Sequence, residues 1–243
     1  TEILASASSD GRACLWNMND GYRICVINKH NGHAVSDLCV EPRSTINSKC
    51  LLLTVGWDCN VKIWNVKSGN GEFMGDLKGH TRPINCIRFD PTNENMVATG
   101  GWDGIIRLYN LVDKQRKAIL RPSNSNQSVS IRSLSYSANG VYLASAHMDG
   151  QIRLFNSRNG SCLATLKGHS KPCTSLAFSP NQNGTQLLFT GSADRRVKVW
   201  SGSIGKQIRV MHNQRQQQNA NDSFTSVCFS QRATATETDS SLK

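Results

Sequence analysis

The sequence lacks a run of 18 apolar residues, and it contains only 6 prolines and 7% aromatic residues. Without such a run a transmembrane helix is excluded. The first six residues show no basic stretch followed by a long apolar one, so we expect no signal peptide. Since the chain does not begin with Met, we expect it to be part of a longer protein. Its 243 residues, 38% of them hydrophobic, suffice for a globular core without disulfides or metals.

Cysteine pairs with metal-ligand spacing are also absent. The sequence has 9 cysteines, scattered singly and several of them within apolar runs, and none forms a Cys-x-x-Cys pair. A zinc site therefore has no support, and we expect neither a metal nor a cofactor. We interpret the cysteines as small reduced hydrophobic residues. That interpretation predicts a protein of the cytoplasm, the nucleus or both.

A repeat of about 45 residues organises the chain. Five segments contain an Asp followed six residues later by an aromatic residue, and the successive Asp spacings are 48, 45, 46 and 45 residues. These pairs are Asp10 and Trp16, Asp58 and Trp64, Asp103 and Tyr109, Asp149 and Phe155, and Asp194 and Trp200. A Ser or Thr lies four residues before each Asp, and Gly-His precedes three of the units. Such regularity predicts a repeat architecture.

Short strand patterns separated by turn residues fill each period. The apolar run 51–55, for example, is followed by a turn and then by the strand pattern 61–64. Another pattern recurs five times, the last time at Phe224, Val227 and Phe229. Four strands in each period and no helical periodicity predict an all-β chain built from the blades of a β-propeller.

The Gly-His pair, the Asp in a tight turn and the Trp-Asn end of the third strand resemble the WD40-repeat family. The resemblance covers residues 3 to 230. It implies a partial blade in 1–30, then four complete four-stranded blades and the first strand of another in 31–230, and a polar tail or linker in 231–243. These about five blade-equivalents imply part of a larger propeller. The alternative is that the two terminal pieces complete one shared blade.

The same resemblance implies a hydrogen-bonded network of Asp, His, hydroxyl and aromatic side chains in three blades. Its expected members are His33, Thr54, Asp58 and Trp64; His80, Thr99, Asp103 and Tyr109; and His169, Thr190, Asp194 and Trp200. Asp, His and a hydroxyl are also the ingredients of a hydrolytic triad, but a catalytic triad occurs once whereas this set recurs with the period. We therefore predict a structural role and no enzyme activity. The unit 128–166 lacks both the Gly-His and an aromatic N–H, so we expect it to be the least rigid.

A narrower resemblance concerns residues 31–66, with Glu41-Pro42-Arg43 and the run from Leu51 to Gly56. These residues are similar to a repeat in the telomerase- and vault-associated members of the family. A missing Gly-His in the unit after residues 120–123 adds to the likeness. This similarity implies a large intracellular ribonucleoprotein subunit as the parent protein.

Positive charge is concentrated in one half of the chain. The net charge is +11, and residues 114–221 contain 15 Lys or Arg but only two acids. One interpretation is an acidic partner, either RNA or an acidic protein surface. The other is a solvated surface whose opposing acids lie in blades outside this chain. Lys or Arg four residues after each of four Asp residues is common in the family and implies a structural surface role; these are Lys62, Arg107, Arg153 and Lys198.

Candidate binding residues lie in the connections that the resemblance places on one face. They are Trp57, Trp102, Met148, Arg82, Lys171 and Arg195. Aromatic side chains with a cationic rim are typical of protein hot spots, and they also suit stacking of single-stranded bases. A third interpretation is that the two tryptophans pack on adjacent loops and seal the ring. The sequence thus predicts a non-catalytic scaffold that binds proteins through this face, with direct RNA binding as the alternative.

Overall fold

A computed structural model of the chain describes residues 3–41, 50–67, 69–121, 128–180, 186–202 and 206–212. Every helix or strand in these ranges is a β-strand, and the strands form five antiparallel sheets, which we number as blades. Blade 1 contains β1 (Ile3–Ala7), β2 (Ala13–Asn17) and β3 (Arg23–Ile27). Blade 2 contains β4 (Val35–Val40), β5 (Leu51–Gly56), β6 (Val61–Asn65) and β7 (Glu72–Leu77).

The other three blades repeat the four-stranded arrangement. Blade 3 contains β8 (Ile84–Phe89), β9 (Met96–Gly101), β10 (Ile106–Asn110) and β11 (Gln115–Leu120). Blade 4 contains β12 (Ile131–Tyr136), β13 (Tyr142–His147), β14 (Ile152–Asn156) and β15 (Cys162–Leu166). Blade 5 contains β16 (Cys173–Phe178), β17 (Leu187–Ser192), β18 (Arg196–Ser201) and β19 (Gln207–His212).

Each blade is a meander in which consecutive strands are hydrogen-bonded neighbours. The first strands of blades 2 to 5 contact one another in sequence, since β4 packs near β8, β8 near β12 and β12 near β16. These four strands are therefore the inner strands, and β7, β11, β15 and β19 are the outer ones. The predicted all-β propeller architecture is confirmed.

The hydrophobic core lies between neighbouring blades. Middle strands are covered on both faces by adjacent sheets, so consecutive residues are buried; Leu52, Leu53 and Val55 of β5 are each 0% exposed. Outer strands are more exposed; in β15, half-buried residues alternate with exposed ones until the buried Leu166. This packing explains the short apolar runs in the sequence, because a strand buried on both faces needs no polar alternation.

Some predicted features lie outside the described residues. These include the strand pattern at Phe224, Val227 and Phe229 and the polar tail 231–243. The eight cysteines within the described ranges are free thiols, and two of them, Cys86 and Cys173, are buried. No apolar helix in those ranges has the length needed to cross a bilayer.

Candidate interaction face and the networks that support it

A four-membered hydrogen-bond network links two connections of blade 2. His30 Nδ1 lies 2.9 Å from Asp58 Oδ1, and His30 Nε2 lies 2.8 Å from Thr54 Oγ1. The Trp64 indole N–H donates to the same Thr54 oxygen at 3.0 Å. The network thus ties the segment before β4 to the turn between β5 and β6.

The prediction that His33 completes this network is wrong, because His30 holds the position. His30 is 1% exposed, whereas His33 is exposed. The reason is the distance along the chain to the inner strand. The network histidines of the next and last blades lie four residues before β8 and β16, and His30 lies five before β4, but His33 lies only two before it. Lys29-His30 therefore stands where the other blades have Gly-His.

Blade 5 repeats the network with the residues that the sequence indicated. His169 Nδ1 lies 2.8 Å from Asp194 Oδ2, and His169 Nε2 lies 2.9 Å from Thr190 Oγ1. Trp200 donates its indole N–H to Thr190 at 2.9 Å. Blades 2 and 5 therefore contain the full set of four residues, joined by three hydrogen bonds.

Blade 3 contains a shorter version. His80 bridges Asp103, at 2.9 Å, and Thr99, at 2.8 Å. Tyr109 does not reach Thr99, and its hydroxyl donates instead to the carbonyl of Lys78 at 3.3 Å. With Tyr in place of Trp, the aromatic side chain is hydrogen-bonded to the loop backbone instead of to the threonine hydroxyl.

The chemistry of the end members fixes two hydrogen-bond directions in the network of blade 2. The indole N–H is a donor only and the Asp58 carboxylate is an acceptor only, so Thr54 accepts from Trp64 and His30 donates its Nδ1–H to Asp58. Burial would raise the pKa of Asp103, but its hydrogen bond to His80 and the Arg107 guanidinium lower it to about 2. Burial also lowers the pKa of His80 despite the nearby carboxylate.

Blade 4 builds a different network around His147, which the sequence analysis did not identify. His147 Nε2 lies 2.8 Å from Ser145 Oγ, and Nδ1 lies 3.2 Å from the carbonyl oxygen of Val129. Asp149 pairs with Arg153 at 2.8 Å instead of with a histidine. An imidazole is therefore present, but it comes from the end of β13 and has no carboxylate partner within the described residues.

The residue two positions before each Asp differs between the blades. Gly56 and Gly101 occupy this position in blades 2 and 3. A Cβ at Gly101 would lie 2.6 Å from the Pro83 carbonyl oxygen and 3.3 Å from His80 Nδ1, so blade 3 has no room for a large side chain there. Blade 5 has Ser192 at this position, with its hydroxyl donating to the carbonyls of Lys171 and Pro172, and it keeps the loop histidine His169. Blade 4 has His147 at this position and no Gly-His before it.

The four cations of the third strands are structural, but they are not surface residues as predicted. Lys62, Arg107, Arg153 and Lys198 are only 4% to 6% exposed. Three of them pair with the Asp of their own blade, whereas Lys198 donates to the Gly168 carbonyl at 2.6 Å. The reason is that buried aspartates and loop carbonyls require compensating donors.

Backbone hydrogen bonds place the connections of blades 2 to 5 on one face. The residue before each network Asp donates its N–H to a carbonyl of the segment before the inner strand. The bonded pairs are Trp57 and Ala34, Trp102 and Pro83, Met148 and Ser130, and Ala193 and Pro172. We call the surface formed by the segments 29–34, 78–83, 128–130 and 167–172 and the turns 57–60, 102–105, 148–151 and 193–195 the loop face.

Trp57 and Trp102 form an exposed aromatic pair on the loop face. Their ring centroids are 5.5 Å apart with an interplanar angle of 57°, yet the residues remain 49% and 38% exposed. Trp102 donates its indole N–H to Asn85 Oδ1 at 2.8 Å, and Asn85 donates in turn to the Ile131 carbonyl at 2.6 Å. The rings therefore pack on each other, and the inner-strand side chain of Asn85 orients Trp102 without burying it.

The other candidate residues are also exposed. Met148, 44% exposed, follows in blade 4, while Arg82, Lys171 and Arg195 lie on the connections of blades 3 and 5. Arg195 has a φ of 64°, a conformation uncommon for residues other than glycine. The structure thus brings all six candidates to one face, with the aromatic pair in blades 2 and 3 and cations reaching blade 5.

The buried networks are poorly suited to catalysis. The hydroxyl groups of Thr54, Thr99 and Thr190 belong to residues that are 0% exposed, so a substrate has no route to the would-be nucleophile. No cluster of His, Cys, Asp or Glu within the described ranges could hold a metal ion. The arrangement supports rigid presentation of the loop face.

Comparison with known proteins gives two matching family models. The model described as Nucleolar protein 10-like, N-terminal domain, matches residues 44–233. The model described as WD domain, G-beta repeat, matches residues 22–65. The first match covers most of the chain.

Two curated proteins are similar to this chain over most of its length. Nuclear distribution protein PAC1 of Arthroderma otae is 30% identical over 234 residues, which cover 87% of this chain and 49% of that protein. Telomerase protein component 1 of Rattus norvegicus is 28% identical over 198 residues, which cover 81% of this chain and 7% of that protein. The chain therefore spans about half of the fungal protein and a small part of the rat protein.

Proposed function

Because the chain belongs to the WD40-repeat β-propeller family, whose members are generally protein-interaction scaffolds, we propose that it is a non-catalytic scaffold whose loop face binds a protein partner. The observation that carries this proposal is the exposed pair of Trp57 and Trp102. Large exposed aromatic side chains are costly to leave in water and are enriched at interface hot spots.

Rigidity of the face supports the proposal. Trp102 is held by Asn85, and the backbones of both tryptophans are hydrogen-bonded to the preceding loops. A side chain that is already oriented loses little entropy on binding, so more of its contact energy contributes to affinity. The buried networks beneath the face explain how surface turns retain one geometry.

The relatives guide a proposal about the assembly. Telomerase protein component 1 is by its name a component of telomerase, and the sequence of this chain is similar to it over 198 residues. We infer that this propeller works within a multi-subunit intracellular complex of the cytoplasm or nucleus, with a telomerase- or vault-type ribonucleoprotein as the specific candidate.

Comparative affinity purification tests the scaffold proposal. The tagged wild-type protein, a Trp57→Ala/Trp102→Ala variant and a Tyr22→Ala control are expressed and purified, and their bound proteins are quantified. Tyr22 is a matched control because it is 76% exposed and lies outside the loop face. We expect proteins that remain with the wild type and the control but are depleted from the double variant. Equal recovery by all three would contradict the proposal.

Direct RNA binding is the second candidate, favoured by the cations of residues 114–221. Part of this charge is engaged within the fold, since Arg153 pairs with Asp149 and Lys198 binds a loop carbonyl. Fluorescence anisotropy with a labelled structured RNA at about 50 and 200 mM salt tests it. Loss of roughly 10³-fold in affinity between the two salts would indicate at least six phosphate contacts. Absence of binding at the lower salt would exclude this function.

A further inference from the structure

We propose that the loop face recognises an acidic peptide segment that carries a large apolar side chain, and that Arg132 is a further residue of this binding site. The inference rests on the proposed scaffold function and specifies the chemistry of its partner. The apolar side chain would pack against Trp57, Trp102 and Met148, and the carboxylates would pair with surrounding cations.

The apolar part of the site follows consecutive blades. Trp57, Trp102 and Met148 occupy the same position in the turns of blades 2, 3 and 4, each directly before the Asp. All three are exposed, between 38% and 49%. Neighbouring blades thus present an aromatic pair continued by a flexible thioether, a combination that accommodates one large apolar side chain.

Arg132 lies beside this row at the inner strand. It is the second residue of β12, as Asn85 is of β8 and Ser36 of β4. Asn85, which orients Trp102, donates to the carbonyl of Ile131, the residue directly before Arg132. Arg132 is exposed and forms no ion pair within the described ranges. An uncompensated guanidinium therefore stands next to the element that positions the tryptophan.

The charges of the loop face favour an acidic partner. Its acidic side chains belong to the aspartates at the start of the turns, and each is already paired with a histidine or a cation, as Asp103 is with His80 and Arg107. Its exposed cations are Lys29, Lys78, Arg82, Lys167, Lys171 and Arg195, and the exposed Arg132 follows the segment 128–130 at the start of β12. Facing carboxylates would therefore meet unpaired positive charge, which speeds encounter and excludes basic partners.

The geometry of the tryptophans favours a peptide over RNA. Successive bases stack on separate aromatic faces along a strand. Trp57 and Trp102 instead pack on each other at 57°, so they share one contact surface. A single apolar anchor flanked by charged residues matches this surface better than a series of bases.

The experiment uses the full 243-residue chain and a displayed library of random 12-residue peptides. Peptides are selected on the wild type after removal of those that bind the Trp57→Ala/Trp102→Ala variant. One selected peptide is synthesised with a fluorophore, and its affinity is measured for the wild type, Trp102→Ala, Arg132→Glu and two controls. The controls are Tyr22→Ala and Arg158→Glu, because Arg158 is exposed on the turn between β14 and β15.

We expect selected sequences with a net negative charge and an aromatic residue, leucine or methionine. Trp102→Ala should weaken binding roughly 30-fold, and Arg132→Glu should weaken it roughly 10-fold. The controls should remain within about twofold of the wild type. The urea midpoint of every variant is measured, and Arg132→Gln replaces Arg132→Glu if the latter shifts it.

Other outcomes overturn the inference in distinguishable ways. Neutral or basic peptides that still depend on the tryptophans would overturn the acidic specificity and leave the scaffold proposal intact. Failure to select any tryptophan-dependent peptide would count against both. A labelled 20-nucleotide poly(U) that binds more tightly than the peptide and depends on Trp102 would replace the peptide with RNA as the ligand.

Discussion

Blades 4 and 5 place an imidazole against the same hydroxyl position from different parts of the chain. In blade 5 the imidazole of His169 comes from the preceding loop and joins Thr190 to Asp194. In blade 4 His147 comes from the end of β13 and joins Ser145 to the Val129 carbonyl. The imidazole–hydroxyl contact is retained, while the link to a carboxylate is lost. A blade can therefore lose the histidine–carboxylate link and keep the imidazole–hydroxyl contact.

The electrostatic consequences differ between these two kinds of network. A carboxylate that accepts from a histidine has a lowered pKa, as Asp194 does although burial opposes the shift. Burial and the Arg153 charge lower the pKa of His147 to about 4, and no carboxylate contacts its ring within the described residues. Blade 4 therefore holds a buried imidazole that becomes protonated only when the pH falls toward 4.

The largest expected loss of stability concerns the aspartates. Asp103→Ala should cost about 3 kcal/mol of unfolding free energy, because it leaves His80 and Arg107 buried without their partner. Asp149→Ala should cost less, about 2 kcal/mol, because that side chain is 24% exposed and only one buried cation, Arg153, loses its partner. Urea denaturation of both variants measures the difference. Equal costs would show that the two networks contribute alike.

The two histidines near β4 provide the next test. His30→Ala should cost about 2 kcal/mol, since it leaves Thr54 and Asp58 without their hydrogen bonds. His33→Ala should change stability by less than about 0.5 kcal/mol because the side chain is exposed. Thermal or urea unfolding distinguishes them. A larger loss for His33→Ala would restore the network assignment made from the Gly-His pair.

Acid should weaken blade 4 through His147. Its folded-state pKa is about 4, against about 6.5 in an unfolded chain, so the unfolded state binds more protons below pH 6.5. The stability that the neutral His147 contributes is fully present above pH 6.5 and is lost as the pH falls toward 4. Between pH 7 and 5 this group accounts for about 2 kcal/mol.

The measurement compares urea midpoints of the wild type and His147→Gln at pH 7 and 5. His80 and His169, whose pKa values are also lowered by burial, contribute with the same sign in both proteins. We expect a smaller pH-dependent loss in the variant. An unchanged loss would show that His147 does not titrate as described.

Local opening should also distinguish the blades. Amides of β13 and β14 in blade 4 should exchange with opening free energies about 1 kcal/mol lower than those of β17 and β18 in blade 5. The expected cause is the missing histidine–carboxylate link between loop and turn. Native-state hydrogen exchange followed by mass spectrometry tests this. Slower exchange in blade 4 would contradict the prediction that it is the least rigid.

The smallest expected effect concerns the aromatic member. Tyr109→Phe removes only a 3.3 Å hydrogen bond to the Lys78 carbonyl and should cost about 0.5 kcal/mol. Trp200→Phe removes the 2.9 Å bond to Thr190 and should cost about 1 kcal/mol or more. Unfolding midpoints of the two variants provide the comparison. A larger cost for Tyr109→Phe would show that the hydrogen bond to the backbone carbonyl stabilises the fold more than the one to Thr190.

The strands and blades were predictable because their signals recur in phase. The predicted pattern 61–64, for example, lies within β6, Val61–Asn65. His30 was missed because Lys29 replaces the expected glycine, although the number of residues between His30 and β4 indicates His30 and not His33 as the network histidine. His147 was missed because a histidine inside a strand pattern resembles an ordinary strand residue. Its position two residues before Asp149, where blades 2 and 3 have glycine, was the available signal.

The binding residues were predictable only in part. The turn position of Trp57 and Trp102 follows from the repeat, but their mutual contact depends on rotamers of residues 45 positions apart. The support from Asn85 and the role proposed for Arg132 depend on contacts between neighbouring blades. A periodic sequence shows equivalent positions, and it does not show which of them meet across an interface.

One paired measurement tests most directly the central claim that the buried networks support the fold while the loop face binds. Peptide affinity and urea midpoint are measured together for Trp102→Ala and His169→Ala, with the selected peptide as probe. Trp102→Ala should lose affinity roughly 30-fold with an unchanged midpoint, and His169→Ala should lower the midpoint. Unchanged affinity for Trp102→Ala at an unchanged midpoint would contradict the claim.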